Sequence, residues 1–501
     1  MSEACDTPAL RFRGFGLGYP GISTPLLREV DLEIPRGSFV LLTGPSGAGK
    51  SSLLRLITGL WDPREQLPRL RGEFSVLGTK IRRRLPRTMR SQVQAVLQDG
   101  GLFDELDARG NVELALRAAS RPKTLAPALM AQGGLSEPLP EISRFSGGMR
   151  KRLAVARALA GEPDLLVFDE PTAGLDPDSA RAIAELIHQT HQQQIASGSL
   201  RTTIVITHDI GAFSRFKPDH LRIDPASKTL RFGHDEPPES AIEPHVDDEE
   251  MALELPASDF VHATSDLASS FVQALLRIVP RHPMRCVHAF VDQTLQAALF
   301  VAAGTFVVGV LATYFALGNN PLEGSFENTV IAGLGQILIA VLAPLLVGIL
   351  FTARVAAGAA ARLAAMKRSR QLDAMRLLGL SPVDMLCTPG VLGSLFAVPL
   401  VTAIGIVFSA AGSAVAVVAV SSVRLTSWSR WFLQDLDRWD VFGTVGKAVL
   451  SAFLVAVLTY HVGTGPKRSS RAVSMAVDNA IVLGILATLT VHAAFTLALY
   501  G

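Results

Sequence analysis

Cysteine is almost missing from these 501 residues: Cys5, Cys286 and Cys387 are the three present. They lie far apart without metal-ligand spacing, which excludes a disulfide framework or a cysteine metal centre. Net charge is equally scant, at +2, and the basic residues are scattered among acidic ones, which excludes a nucleic-acid stripe. The opening MSEACDTPALRFRG has no apolar run of the kind a secretory leader needs. No cleaved signal peptide is therefore expected, and the N-terminal half is expected to stay in the cytoplasm. From about residue 290 onward charge itself becomes rare. The hydrophobic content of 49% is ordinary, so the information lies in its segregation into one half of the chain.

What is present divides in two. Residues from about 8 to 235 have the pattern of a soluble α/β domain. GHDEPPESAIEPHVDDEEMALELPASD, Gly233 to Asp259, is acidic, proline-rich and aperiodic, which predicts a linker over 236–263. Next, SDLASSFVQALLRIVPRHPMRCVHAF has apolar residues at helical spacing beside Arg277, Arg281 and Arg285. It suits either an interfacial helix on an anionic membrane or a helix packed on the soluble domain. Five long apolar stretches follow, Leu295–Leu317, Val330–Ala353, Val391–Val420, Val441–Val462 and Ala480–Leu499. At about 20 residues per crossing these predict five membrane spans. As buried core helices they would need a soluble core larger than roughly 250 residues can wrap. NNPLEGSFEN lacks Lys and Arg, whereas MKRSRQLDAMRLLGLSP, Met366 to Pro382, and GPKRSSR are basic, which places those two loops in the cytoplasm. SSVRLTSWSRWFLQDLDRWD then falls outside with Arg424, Arg430 and Arg438, its Trp residues suiting the interface.

In the soluble half, SFVLLTGPSGAGKSSLLRLI places an apolar strand before, and a helical pattern after, Gly44, Pro45, Ser46, Gly47, Ala48, Gly49, Lys50, Ser51 and Ser52. This is a P-loop in its required context. Glycines let backbone N–H groups close on phosphate oxygens, Lys50 reaches the terminal phosphates, and Ser51 can ligate Mg²⁺. LLVFDEP ends an apolar run with Asp169 and Glu170, placed for a Mg²⁺ contact and a base beside the γ-phosphate. RFSGGMRKRLAVARALA adds a small-residue loop opening a basic helix, and His208 follows the strand TTIVI.

Four such elements in this order resemble the ATP-binding cassette family. The resemblance covers roughly residues 8 to 235: Walker A is GPSGAGKS, the signature FSGGM, Walker B LLVFDE, the D-loop AGLD up to Asp176, and the switch histidine His208. It implies ATP and Mg²⁺ as cofactors. Gln98, in AVLQDGGLFDELDARGNV, falls on the family's Q-loop glutamine, a Mg²⁺ contact beside Ser51 and Asp169. Tyr19 is placed to stack on adenine or, equally, to pack on the core. In the family two cassettes sandwich two ATPs, with Ser146, Gly147 and Gly148 closing on the other subunit's Walker A. One cassette per chain thus implies a homodimer. Phe145 and Met149 replace the usual Leu and Gln of that signature but leave its phosphate-facing residues.

FSGGMRKR and QDGGLFDEL are similar to the MlaF-like ATPases of lipid transporters. About residues 265 to 500 are similar to MlaE-like permeases, the family's pattern falling on Met366, Gln371, Asp373, Gly379, Pro382 and Pro389. By that likeness Met366 to Leu380 is a coupling helix docking near Gln98, its apolar Leu372, Met375, Leu377, Leu378 and Met385 at helical intervals and Lys367, Arg368 and Arg370 at lipid headgroups. A solvated topogenic loop is the alternative. Val341, Leu342, Ala343 and Pro344 stand where the permeases carry Glu-Leu-Gly-Pro, and Arg362 where an acid is common. Intramembrane charge normally marks a pathway or partner. Arg354, Lys447, Asp478 and His492 are candidates, though Arg354 and Lys447 also suit snorkelling to an interface.

The expectation is an α/β P-loop ATPase domain, 1–235, followed after the linker by an all-α membrane domain of about five spans, 264–501. The resemblance implies a multipass inner-membrane protein moving phospholipid or a related lipid with ATP hydrolysis. It also implies a second copy of the chain, a periplasmic MCE-domain protein and a small cytoplasmic STAS-type subunit as partners; the charge pattern argues against nucleic acid. A cassette-first exporter of drugs or glycolipids is the second reading. A mechanotransmitter is the third, but that class usually needs a sizeable domain between spans.

Overall fold

Strands with continuous apolar runs can only be buried on both faces, and that dictates a sheet covered by helices. In the computed structural model the described residues are 7–20, 22, 24–61, 67–82, 85–136, 138–196, 198, 200–234, 267–268, 270–272, 274–276, 279–318, 326–467 and 469–500. The expected linker, 236–263, lies outside them, as do Cys5, Arg277 and most of NNPLEGSFEN. Among the described residues, Cys286 and Cys387 are not joined in a disulfide. Described residues fall into two compact units. One runs to His234 and also includes Ser369–Ser381; the other holds the rest.

The first unit has ten strands: β1 (Leu10–Gly18), β2 (Leu27–Ile34), β3 (Phe39–Thr43), β4 (Arg69–Val76), β5 (Thr79–Lys80), β6 (Val93–Val96), β7 (Leu165–Asp169), β8 (Thr202–Ile206), β9 (Asp219–Asp224) and β10 (Thr229–Gly233). Five helices accompany them: α1 (Lys50–Thr58), α2 (Ala108–Ala118), α3 (Ala126–Gln132), α4 (Gly147–Leu159) and α5 (Pro177–Ala196). An antiparallel sheet runs β2-β1-β4-β5 and a second sheet β10-β9-β3-β8-β7-β6. In the second, β3, β6, β7 and β8 are buried throughout and pair in parallel, with β10 antiparallel at one edge. Because β3, β8 and β7 are neighbours, their carboxyl ends converge, and ligand sites in such sheets form at carboxyl ends.

Among its described residues the second unit contains five helices long and apolar enough to span a bilayer: Pro283–Gly318, Glu327–Arg368, Val383–Val420, Arg438–Thr464 and Ser470–Leu499. Each contains one expected span and overruns it. Hydroxyls of Thr305, Thr352, Thr402, Thr459 and Thr488 bond to carbonyls one turn back, satisfying themselves where lipid offers no partner. The chain reading Val341, Leu342, Ala343, Pro344 has its own local logic. Pro344 has no N–H for the carbonyl of Ala340, and the helix takes a π turn over Leu338–Leu342. Lys447, 1% exposed, donates its ammonium to that Ala340 carbonyl at 3.0 Å. The buried lysine is thus held by a carbonyl of the proline-broken turn and does not snorkel. His492 is buried too, whereas Arg354, Arg362 and Asp478 are exposed.

The segment between the second and third long helices departs from expectation. Met366–Arg368 continue the preceding helix; a break at Ser369 and Arg370, the latter left-handed at φ 54, precedes a short helix over Gln371–Leu377. Gly379 then terminates it, with Leu380 N donating to Met375 O. The helix is therefore shorter than Met366 to Leu380. Arg370 is not at a headgroup position either, because it pairs with a carboxylate of the first unit.

Candidate active site

Gly47 and Gly49 both have positive φ, 76 and 103, conformations that glycine enters without steric cost, and this curls the chain between β3 and α1 into a loop. Gly49 caps α1 without a side-chain bond, so the helix begins with backbone donors uncommitted to any side-chain cap. Ser46, Gly47 and Ser51 are exposed; Gly44, Pro45, Ala48 and Lys50 are half-buried. The Lys50 ammonium donates to Gly44 O at 2.7 Å and Pro45 O at 3.0 Å, folding back across the loop. This cradle of donors and one cation fits a phosphate chain. Tyr19 packs partly on the core, and its hydroxyl shares a 2.9 Å hydrogen bond with Ser52, so both alternatives for its ring place it beside α1.

Asp169 ends β7, 6% exposed. Burial pushes its carboxyl up, while Arg370 first, then Lys151 and Arg55, pull it down. Glu170 follows in a left-handed conformation at φ 46, a strained setting for a non-glycine residue. Its Oε2 accepts from His208 N at 3.4 Å, and its Oε1 lies 3.5 Å from His208 Nε2. Glu170 N in turn donates to Ile206 O at 2.9 Å, so β8 sets the angle of the acid and carries the histidine. Gln98 is exposed just after β6; its carbonyl accepts from the Lys151 ammonium, which also donates to Glu170 O at 3.1 Å. Ser51, Asp169 and Gln98 supply oxygen donors of the kind a hard dication takes.

Ser146 caps α4, its hydroxyl accepting from Met149 N at 3.2 Å. Ser146 and Gly147 are exposed and Gly148 is half-buried, whereas Phe145 is core, which accounts for an apolar residue at that signature position. Asp176 caps α5, accepting from Ser179 N at 2.9 Å; hydrogen bonds from Ser179, then neighbouring backbone, hold its carboxyl down. Among the described residues, the side chains of Ser146 and Asp176 hydrogen-bond within their own helix caps and not to the glycine loop of their own chain.

The short helix Gln371–Leu377 seats against the segment after β6. Leu372, Ala374, Met375 and Leu377 are buried, and Leu377 joins the core that contains β3 and α1. Burial of each large side chain contributes about 2 kcal/mol. Gln94 Nε2 donates to Leu377 O at 3.0 Å. Gln371 Nε2 donates to Asp104 Oδ2 at 2.9 Å, and Arg150 Nη2, from α4, to Asp104 Oδ1 at 2.9 Å. A Cβ on Gly101 would lie 3.0 Å from that of Ala374. Arg157, buried in α4, donates to Gly100 O at 2.8 Å and Gly101 O at 2.5 Å; burial lowers its pKa to about 10. Docking thus centres on Gln94, Gly101 and Asp104, flanking the expected Gln98.

Residues 27–173 match the ABC transporter family, and residues 286–498 match the permease MlaE family. The phosphonates import ATP-binding protein PhnC 2 of Nostoc sp. (strain PCC 7120 / SAG 25.82 / UTEX 2576) is 35% identical over 215 residues, 40% of this chain and 84% of that protein. The chain belongs to the ABC transporter family. This transporter is also similar to the glutamine transport ATP-binding protein GlnQ of Escherichia coli (strain K12), 36% identical over 38% of the chain and 77% of GlnQ. The ATP-dependent lipid A-core flippase of the same strain is 32% identical over 42% of the chain and 35% of the flippase. The transporter carries ATPase and permease in one polypeptide, and its cassette hydrolyses ATP.

Lys50→Ala in the transporter is expected to weaken nucleotide binding about tenfold or more, the usual worth of a charged hydrogen bond. Titration with a fluorescent ATP analogue checks this, and unchanged affinity would remove Lys50 from the phosphate site. Arg370, Asp104, Arg150 and Gln94 escaped the sequence reading as site residues. Their partners lie far away in the chain, and no local spacing marks them.

Proposed function

We propose that two copies of this chain form an ATP-driven transporter that moves phospholipid or a related lipid across or out of the inner membrane. The observation that carries the reading is the helix Gln371–Leu377, which is part of the permease sequence yet packs into the ATPase core beside Asp169. A motor whose substrate step lies in the membrane needs such a helix. The MlaE match and the flippase's name favour lipid as the class of cargo. A periplasmic MCE-domain protein is the partner to or from which lipid passes, a small STAS-type subunit a cytoplasmic one. The domain bounds are 1–235 and 264–501, with the cassette and the basic loops cytoplasmic.

In this reading Gly44 to Ser52 cradle the phosphates of ATP, with Lys50 neutralising the terminal ones and Tyr19 beside the base. Ser51, Asp169 and Gln98 hold Mg²⁺, which when bound polarises the phosphoryl oxygens. Glu170 takes the proton of the attacking water, and His208 orients Glu170. Ser146, Gly147, Gly148 and Asp176 act on the nucleotide held by the other copy. The Ser146 hydroxyl accepts from Met149 N within its chain and still has its O–H to donate.

Trans complementation tests the sandwich. Chains with Lys50→Ala and chains with Ser146→Arg are each expected to lose hydrolysis. Mixed, they form one intact composite site, and phosphate release recovers above either alone. No recovery in mixed dimers verified by two affinity tags would overturn the cross-subunit assignment.

A further inference from the structure

Arg370 stands in the left-handed region at φ 54, between the end of one long helix and the start of the docking helix. Bulky residues adopt this conformation at a cost, and it persists where surrounding contacts impose it. Its guanidinium Nη1 lies 3.4 Å from Oδ2 of Asp169, the buried acid at the end of β7. The neighbouring bonds fix the docking helix at both ends: Gln371 to Asp104 at its start, Leu377 O to Gln94 at its finish. A cation from the permease sequence is therefore held against one carboxylate of the hydrolytic site.

We propose that Arg370 competes with Mg²⁺–nucleotide for Asp169, so that this contact and Mg²⁺–nucleotide binding weaken each other. The proposal rests on the reading of Asp169 as a Mg²⁺ ligand. A carboxylate engaged by a guanidinium is a poorer ligand for a dication, and the two cations repel within one partly buried site. Coupling of this kind is reciprocal: whatever factor Arg370 subtracts from Mg²⁺–nucleotide affinity, Mg²⁺–nucleotide subtracts from the hold on Arg370. Residues 369–381 are covalently continuous with the long helices ending at Arg368 and starting at Val383. Release of Arg370 is thus a signal, delivered at nucleotide binding and before hydrolysis, into the chain of the permease.

The test uses the full-length protein in detergent and a fluorescent non-hydrolysable ATP analogue, titrated with Mg²⁺ and with EDTA. The ratio of the two affinities is the gain due to metal. In Arg370→Gln this gain is expected to be about tenfold larger than in the wild type, with affinity in EDTA unchanged. Arg370→Gly removes the same cation while suiting the left-handed backbone, and is expected to show the same gain, which covers a folding defect in the first variant. Gln371→Ala loosens the start of the docking helix but leaves the Arg370 cation beside Asp169, and is expected to raise the gain less than either Arg370 variant does. Hydrogen exchange over 369–381 is expected to rise in the wild type with Mg²⁺–analogue more than with analogue in EDTA, and to lose that difference in Arg370→Gly. An unchanged or smaller gain in both Arg370 variants would overturn the competition, as would an equal rise in Gln371→Ala. Absence of any metal gain in the wild type would instead overturn the assignment of Asp169.

Discussion

Glu170→Gln is expected to bind ATP as the wild type does and to hydrolyse it at least about a hundredfold more slowly, the usual contribution of a positioned general base. The amide matches the carboxylate in size, so the contact with His208 N and the packing at the end of β7 are retained. What it loses is the capacity to take a proton. The left-handed backbone at Glu170 and its bond to Ile206 O hold the acid at the carboxyl edge of the sheet, next to the loop that carries Lys50. Phosphate release measured beside nucleotide titration separates the two properties. Hydrolysis within a few-fold of wild type would remove Glu170 from the role of base.

Ala374→Pro is expected to abolish lipid transfer while basal ATP hydrolysis survives. Ala374 N donates to Arg370 O at 3.0 Å in the docking helix, and proline removes that donor and sets its ring against the carbonyl. The local cost is about 3 kcal/mol or more, large for a helix of seven residues. Ala374 is also buried against Gly101, where no extra volume fits. In the proposed transporter hydrolysis needs the two cassettes to meet, whereas transfer needs the segment between Arg368 and Pro382 to carry the motion. The measurement compares phosphate release in detergent with lipid transfer from proteoliposomes to an added MCE acceptor. Equal loss of both in a folded dimer would make the segment structural; loss of neither would make it a topogenic loop.

These expectations draw on two kinds of information. Local motifs were legible because their geometry is local: strand, glycine turn and helix lie within one stretch from β3 to α1, and the acids of β7 follow directly on its apolar run. The spans were legible because bilayer thickness sets a length that composition reveals. Lys447 was not. Its role depends on Pro344, 103 residues away, whose missing N–H leaves the Ala340 carbonyl to be satisfied by another helix.

By itself, then, the sequence determined the order ATPase then permease, the five apolar helices and the glycine turn between β3 and α1, because each is written in short-range spacing or in bulk hydrophobicity. Tertiary structure alone decided where the permease's inserted helix begins, that Arg370 meets Asp169 across 201 residues of sequence, and that Asp104 joins Gln371 to α4. Charged side chains choose partners by distance in the folded chain, and that distance is set by the parallel pairing of β7 with its neighbours, which no periodicity records.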